Sequence, residues 1–130
     1  PYLYRAYAQA GADAMFIPSA FTVPTGRAHW EVLLRARAIE TGAFVLAAAQ
    51  SGAHADGRRT YGRALAVGPW GEVLADLGEA APQLHVLDLD LDAVASARAQ
   101  VPAWSVDIGQ PPVTVSGPDA PPPGAARPRG

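Results

Sequence analysis

The chain has 130 residues, 49% hydrophobic and 17% charged, which predicts one globular domain with a real core. The formal net charge of −2 argues against nucleic acid as a partner, and no apolar run is long enough to span a membrane. The absence of cysteine excludes disulfides, cysteine metal ligands and a cysteine nucleophile within this chain, and a cytoplasmic protein fits this composition.

The first forty residues predict a helix, a short strand and a second helix. Residues 2–10 place apolar side chains on one helical face. The apolar run 14–17 is short, which favours a buried strand over a helix. Residues 19–26 predict a loop, and Thr25 can cap the helix that continues to Glu40. Because the chain starts directly in helix-like sequence, we expect a fragment or a processed product.

The middle of the chain predicts mainly strands. Residues 43–49 are apolar throughout, which indicates a second buried strand. Residues 50–60 are polar and predict a loop. A hairpin follows, with arms at residues 61–67 and 72–77 joined by a Pro-Trp-Gly turn. The alternation of apolar and polar side chains at residues 85–90 predicts a half-exposed strand.

A final helix and a tail complete the predicted organisation. Asp90 or Asp92 can cap a helix that reaches about Val101. Residues 1–109 therefore form an α/β domain portion, since strands and helices alternate along them. Seven of the 13 prolines lie in residues 110–130, which predicts a Pro-rich disordered tail that cannot bury enough surface to offset its ordering entropy.

Familiar catalytic motifs are missing from this chain, which has no Gly-x-Ser-x-Gly elbow, no P-loop and no dinucleotide fingerprint. His54 and Asp56 could ligate a metal, but closed metal sites need three or four ligands, and a solvated loop is the alternative. Ser19, His29 and Asp13 make a Ser-His-Asp triad on paper, which only geometry can test. We therefore expect no metal.

The most informative segment follows the first predicted strand. Ligands in open α/β proteins tend to bind beyond the ends of strands, so Ser19, Phe21, Thr25 and His29 are candidate substrate-binding residues. The alternative is that Phe21 packs in the core and Thr25 only caps the helix. Arg37 falls near the apolar stripe of this helix, which predicts a buried ion pair or a subunit contact.

Several motifs of this chain resemble the nitrilase superfamily of carbon–nitrogen hydrolases, and most of all its branch of deaminated-glutathione amidase and ω-amidase. The resemblance covers about residues 1–102. Its motifs are PSAF (18–21), AHWE (28–31), LRARAIE (34–40), AAAQ (47–50), TYG (60–62) and VGPWGEV (67–73). The chain departs from the family pattern at Arg63 and Ala64, where His-Ser is usual, and at Gly68, where Asp is usual.

Family membership implies the C-terminal part of an αββα sandwich and an amidase that acts on a small-molecule amide. It also implies a Cys–Glu–Lys triad, with all three residues upstream of this chain, so no catalytic residue is assigned here. No metal or organic cofactor is implied. The helix from Arg27 to Glu40 resembles one used in dimer packing, so a homodimer is expected for the full-length protein.

Two hypotheses remain open. The chain is either part of a working amidase or a truncated, non-catalytic remnant that binds or associates. A third possibility is a small α/β binding domain complete in itself, which the two apolar strands make difficult because they need cover on both faces. Alone, the chain is expected to hydrolyse nothing and to be poorly soluble, since half of a sandwich leaves apolar strands exposed.

Overall fold

The computed structural model describes residues 1–79 and 82–106. Within these ranges the chain forms three helices and six short strands. In chain order they are α1 (Tyr2–Gln9), β1 (Ala14–Phe16), α2 (Val23–Thr41), β2 (Phe44–Ala47), β3 (Ser51–Ala53), β4 (Arg59–Tyr61), β5 (Leu65–Val67), β6 (Val73–Asp76) and α3 (Asp92–Gln100), followed by a 3-10 turn (Pro102–Trp104). The predicted tail at 110–130 lies outside the described residues. No helix in the described ranges is long and apolar enough to cross a membrane.

The larger sheet has four strands in the order β1-β2-β5-β6. β1 and β2 are parallel, with Ala14 opposite Phe44, and α2 makes the crossover between them. β5 pairs antiparallel with both β2 and β6, so the second half of the sheet is a meander. The result is the mixed α/β architecture that the alternation of helices and strands predicted.

One face of α2 covers the sheet and forms the core with it. Trp30, Leu34 and Ala38 recur every four residues, lie on one helical face and are almost fully buried. They pack against Val45 and Val67 of the central strands. Each buried side chain of this size contributes about 1.5–3 kcal/mol relative to an exposed one, so this contact is the main attachment of helix to sheet.

Other large apolar side chains stay in contact with solvent. Phe16 of β1 is 77% exposed, and Val73 and Leu74 of β6 are also exposed. On α2, Val32 and Ile39 are also exposed, although the Ile39 side chain borders the turn at Gly71 between β5 and β6. Among the described residues, the interface between α2 and the sheet is therefore buried, and apolar side chains elsewhere remain exposed.

The start of α2 differs from the prediction. The helix begins at Val23, so the loop before it is shorter than 19–26 and Thr25 lies inside the first turn. Thr22 is the N-cap residue, and the fixed φ of Pro24 suits the first turn of the helix. The prediction that Thr25 caps the helix was therefore wrong. At α3 the N-cap residue is Leu91 and no side chain caps the helix, so the prediction that Asp90 or Asp92 caps it was also wrong. Asp90 instead precedes the cap, and its Oδ1 accepts the N–H of Asp92 at 3.1 Å.

The segment predicted as a polar loop, 50–60, contains most of a second hairpin. β3 and β4 pair antiparallel, with Ser51 opposite Tyr61. The turn between them is held by Asp56, whose carboxylate accepts the N–H of Arg58 at 3.1 Å. As a consequence, the strand predicted at 61–67 is divided between two sheets. Tyr61 ends β4 in the smaller sheet, and only Leu65–Val67 belongs to the larger sheet. The hairpin of β5 and β6 is confirmed.

The predicted strand at 85–90 is wrong for the described part of the chain, where this segment forms no strand. Val86 and Leu84 are more than 80% exposed, so the apolar side of the alternation is not turned towards a core. A strand requires a neighbouring strand for its backbone hydrogen bonds, and none of the described residues provides one here.

Candidate functional site

The chain that leaves β1 is held against the chain that leaves β2. The Ser19 N–H donates to the Ala48 carbonyl at 3.0 Å, and the Gln50 N–H donates to the Ser19 carbonyl at 2.9 Å. These bonds extend the parallel alignment of the two strands beyond their ends. Ser19 thus has a fixed backbone at the carboxyl end of the sheet, where the sequence predicted a ligand site.

Phe21 joins this segment to the core. Its ring lies 5.1 Å from the ring of Trp30, centroid to centroid, at an interplanar angle of 51°. Its carbonyl accepts the N–H of Tyr61 at 2.9 Å, which ties the segment to β4. The half-buried ring packs on the core and also lines a cavity, so the core packing is observed and the substrate-binding role of Phe21 stays a prediction.

A cavity of about 440 Å³ lies between α1, α2 and the end of β1. Its walls are mostly apolar, and the residues that line it include Pro1, Tyr4, Ser19, Phe21, Leu33 and Arg37. A volume of this size falls in the range of roughly 300–1,000 Å³ that small-molecule sites occupy. The structure therefore brings Ser19 and Phe21 together in one concave, largely apolar site.

Arg37 is the charged side chain among the described residues that line this cavity. Its Nη1 lies 2.7 Å from Oε2 of Glu40, and its guanidinium carbon lies 5.6 Å from the centre of the Tyr4 ring. The side chain is only 14% exposed, so the pairing offsets the cost of burying its charge. This agrees with the predicted structural ion pair.

Thr25 and His29 do not line this cavity. Both are exposed on α2, and the Thr25 hydroxyl lies 2.9 Å from that of Thr22. The Ser-His-Asp triad also lacks its acid, because the Asp13 carboxylate pairs with Arg98 at 3.2 Å. His54 lies 3.1 Å from the Thr60 hydroxyl, and no group of three metal-ligating side chains occurs among the described residues.

Arg63 is a charged centre that sequence reasoning noted only as a departure from the family pattern. Its guanidinium donates to both carboxylate oxygens of Asp76 and to the Tyr61 hydroxyl at 3.1 Å, and lies 3.5 Å from Glu31. The hydrogen bonds that Arg63 donates to Asp76 and Tyr61 raise the pKa of Arg63, and the hydrogen bond that Asp76 accepts from Arg63 lowers the pKa of Asp76. Arg63 also accepts the Trp30 indole N–H at its carbonyl, 2.6 Å away.

A second cavity, of about 640 Å³, lies between the start of α2 and the β3–β4 hairpin. Three arginines line it: Arg27, Arg58 and Arg59. Sequence reasoning missed this cavity because residues 50–60 were predicted to be a loop, and only the hairpin places Arg59 opposite α2. The adjacent basic pair at 58–59 was the one signal in the sequence.

The carbon–nitrogen hydrolase family model matches residues 1–99. A deaminated glutathione amidase from Synechocystis is 47% identical over 103 residues, which are 79% of this chain and 38% of that protein. The human deaminated glutathione amidase is 49% identical over 104 residues, 80% of this chain and 32% of that protein. The chain thus spans between about a third and two fifths of the length of these relatives.

Solved structures agree with the sequence matches. The Caenorhabditis elegans NitFhit protein superposes with a TM-score of 0.69 at 44% identity, over 79% of this chain and 25% of that chain. Nit3 of Saccharomyces cerevisiae, described as a member of branch 10 of the nitrilase superfamily, gives a TM-score of 0.72 at 33% identity, over 78% of this chain and 37% of that chain. The α/β fold seen here is therefore the nitrilase fold.

Proposed function

This chain belongs to the carbon–nitrogen hydrolase family, and we propose that it forms the C-terminal portion of an amidase that hydrolyses the C–N bond of short amides. The observation that carries this proposal is the match to amidases at 47–49% identity, together with the family match over residues 1–99, a range that contains Ser19 and Phe21. Because the relatives named above are deaminated glutathione amidases, we take short ω-amides as the substrate class.

The bond-breaking residues are proposed to lie outside these 130 residues. The sequence contains no cysteine and no lysine, since all ten of its basic residues are arginine. The cysteine and the lysine of a Cys–Glu–Lys triad must therefore come from other residues, and the family resemblance implies the same for the glutamate. In that chemistry the thiolate attacks the amide carbon, glutamate transfers protons and lysine stabilises the tetrahedral intermediate. Ammonia leaves from an unsubstituted amide, and water then hydrolyses the thioester.

The part of this chain in the reaction is to form one wall of the substrate site. Phe21 and Leu33 supply apolar surface that excludes water from a bound amide. Ser19 brings a hydroxyl to that wall, and its fixed backbone can hold a hydrogen bond to the amide in one direction. Arg37 is already neutralised by Glu40, so it adds little net charge to the site.

The proposed test is a graft into a working relative. Residues 1–102 replace the matching segment of the Synechocystis amidase, and ammonia release from a short ω-amide is measured. We expect activity within about tenfold of that of the parent, and none from the 130-residue chain alone, because one step of chemistry needs the whole triad. A folded graft that binds but does not hydrolyse the amide would favour the non-catalytic alternative.

The same graft also tests whether a residue that lines the cavity affects KM more than a residue outside it. Ser19→Ala should raise KM, because a hydrogen bond to the bound amide is lost, by about threefold to tenfold. Thr25→Ala removes a similar hydroxyl outside the cavity and should leave KM unchanged. Equal effects of the two substitutions would contradict the assignment of the cavity as the substrate site.

We also propose that the full-length protein is a cytoplasmic homodimer that contacts its partner through α2. The support is that Val32 and Ile39 of α2 are exposed by more than half of their surface. Val32 and Ile39 are seven residues apart and so lie on one face of α2, and an exposed apolar patch marks a protein–protein interaction site. Val32→Asp in the grafted protein should shift it towards the monomer in sedimentation experiments, whereas Ala28→Asp on the exposed first turns should not.

A further inference from the structure

The aromatic wall of the cavity that holds Ser19 and Phe21 is anchored from outside the cavity. Phe21 and Trp30 both line it, and their ring centroids lie 5.1 Å apart. The Trp30 indole N–H donates to the Arg63 carbonyl at 2.6 Å, and the Phe21 carbonyl accepts the N–H of Tyr61 at 2.9 Å. Neither Tyr61 nor Arg63 lines the cavity. The chain between β4 and β5 therefore holds both aromatic residues without reaching the site itself.

The direction of the Arg63 carbonyl depends on an unfavourable backbone conformation. Arg63 has φ at +57°, and no other residue besides glycine has a positive φ in the described ranges. Residues with a Cβ populate this region rarely, so surrounding contacts must hold Arg63 there. Glycine would adopt the same φ without strain. The arginine side chain is therefore the group to examine for those contacts.

The Arg63 guanidinium has partners on three different elements. It donates to both carboxylate oxygens of Asp76 on β6 and, at 3.1 Å, to the hydroxyl of Tyr61 at the end of β4. It also lies 3.5 Å from the carboxylate of Glu31 on α2. The side chains of Arg63 and Asp76 are 27% and 30% exposed, so solvent screens this pair less than it screens a surface pair. The guanidinium thus fixes residues 61–63 against β6 and α2 at the same time.

We propose that Arg63 is a positioning residue for the cavity wall. Its side chain holds the backbone of residues 61–63, its carbonyl orients the Trp30 indole, and Trp30 keeps the Phe21 ring in place. Histidine, which is usual at this position in the family, has at most two N–H donors and cannot bond to all three partners of the guanidinium. The effect of this wall on substrate rests on the function proposed above, whereas the coupling of Arg63 to Trp30 does not.

The first experiment measures the Trp30 indole in the 130-residue chain. The chain has three tryptophans, so its heteronuclear NMR spectrum contains three indole N–H signals, and Trp30→Phe identifies the one from Trp30. We expect this N–H to exchange slowly with solvent, because it is buried and hydrogen-bonded. Arg63→Ala should make its exchange about tenfold faster, because one buried hydrogen bond is lost.

One further variant and one matched control separate the side chain from the backbone. Arg63→Gly permits the positive φ but lacks the guanidinium, so it should accelerate exchange as Arg63→Ala does. Arg35→Ala removes another arginine that pairs with Glu31, and it should leave the Trp30 exchange unchanged. The buried indole N–H of Trp104 should keep its exchange rate in all three variants, which shows that the fold is intact.

The second experiment measures kinetics in the grafted amidase. Arg63→Ala should raise KM for a short ω-amide about threefold to tenfold and change kcat by less than about twofold, since a loosened wall weakens binding while the bond-breaking residues lie elsewhere. Loss of folded protein would instead lower kcat at constant KM. Arg63→Lys keeps the charge and should restore part of the KM, and Arg35→Ala should change neither constant.

The two experiments can fail separately. Slow exchange of the Trp30 indole in Arg63→Gly, or equal acceleration in Arg35→Ala, would overturn the coupling of Arg63 to Trp30. An active graft in which Arg63→Ala leaves KM unchanged, or lowers kcat alone, would overturn the positioning role. An inactive graft with Arg63 intact would count against the proposed function, and the exchange rates would still decide whether Arg63 holds the wall.

Discussion

Arg63 holds a backbone conformation, with φ at +57°, that L side chains rarely adopt. The strain of order 1–2 kcal/mol is offset by the contacts that meet at this residue, which are the pairing with Asp76, the Tyr61 hydroxyl and the indole N–H of Trp30. The residue next to it, Gly62, also has a positive φ, so this corner between β4 and β5 is a tight turn whose geometry is held by side-chain contacts.

The Arg63–Asp76 pair predicts a pH dependence of stability. Arg63 holds the pKa of Asp76 below its usual value of 3.8, so the contribution is complete above that value and is lost as pH falls through the depressed pKa. The urea concentration at the unfolding midpoint of the unaltered chain should therefore decrease when the pH is lowered below about 4. Asp76→Asn should lower the midpoint at pH 7 and reduce the loss on acidification. If the urea midpoint decreases equally on acidification in both proteins, the Arg63–Asp76 pair does not contribute to the pH dependence of stability.

Gly26 marks a close approach of α2 to β4. A Cβ at this position would lie 2.4 Å from atoms of the Tyr61 side chain, which is too close for any contact. Gly26→Ala should therefore destabilise the chain by about 1–3 kcal/mol, although alanine is the better helix former by about 1 kcal/mol. In the background Tyr61→Gly, which removes the Cβ together with the ring atoms that the added Cβ would meet, the same substitution should be neutral or stabilising, as measured by urea unfolding. An equal cost in both backgrounds would contradict the contact.

At the scale of elements, α2 is the piece that organises the chain. Its apolar face forms the core, its first turn borders the arginine-lined cavity and its middle borders the other cavity. Gly42 ends the helix in the left-handed conformation, with φ at +56°. The Gly42 N–H bonds back to the Ala38 carbonyl, which closes the last turn. The end of the helix also lies against α3, since Arg98 donates to the Thr41 carbonyl at 3.1 Å.

Gly42→Ala tests this junction. The substitution adds backbone strain of about 1–2 kcal/mol and places a Cβ 2.8 Å from Cγ of Arg98. Gly11→Ala is the matched control, because Gly11 also has a positive φ but has open space around the added Cβ. The urea midpoint should fall further for Gly42→Ala than for Gly11→Ala. Equal decreases would show that only the backbone conformation matters.

At the scale of the molecule, exposed apolar surface sets the behaviour of the isolated chain. Phe16 lies on an edge strand, β1, whose outer side has no strand partner among the described residues. Edge strands with large apolar side chains invite association with other chains. The sequence-based prediction that the isolated chain is poorly soluble has the same physical basis, which is exposed apolar surface on the strands.

Self-association should therefore depend on Phe16. Phe16→Ser is expected to weaken it by about tenfold, since burying a phenylalanine contributes roughly 1.5–3 kcal/mol. Leu84→Ser removes an equally exposed side chain from an extended segment away from the sheet and should change little. Sedimentation velocity at two protein concentrations distinguishes these outcomes. A chain that stays monomeric at both concentrations, with or without Phe16, would contradict this interpretation.

The sequence by itself determined the helices, β1, β2 and the β5–β6 hairpin, because local periodicity and turn residues specify such elements. Its motifs also determined the family, which spans residues 1–99. The tertiary structure alone decided which distant groups meet. Arg98 reaches Asp13 across 85 positions, and Arg59 faces α2 only because β4 pairs with β3. It also decided that residues 85–90 remain outside any described sheet, because a strand depends on a neighbour that no local pattern can supply.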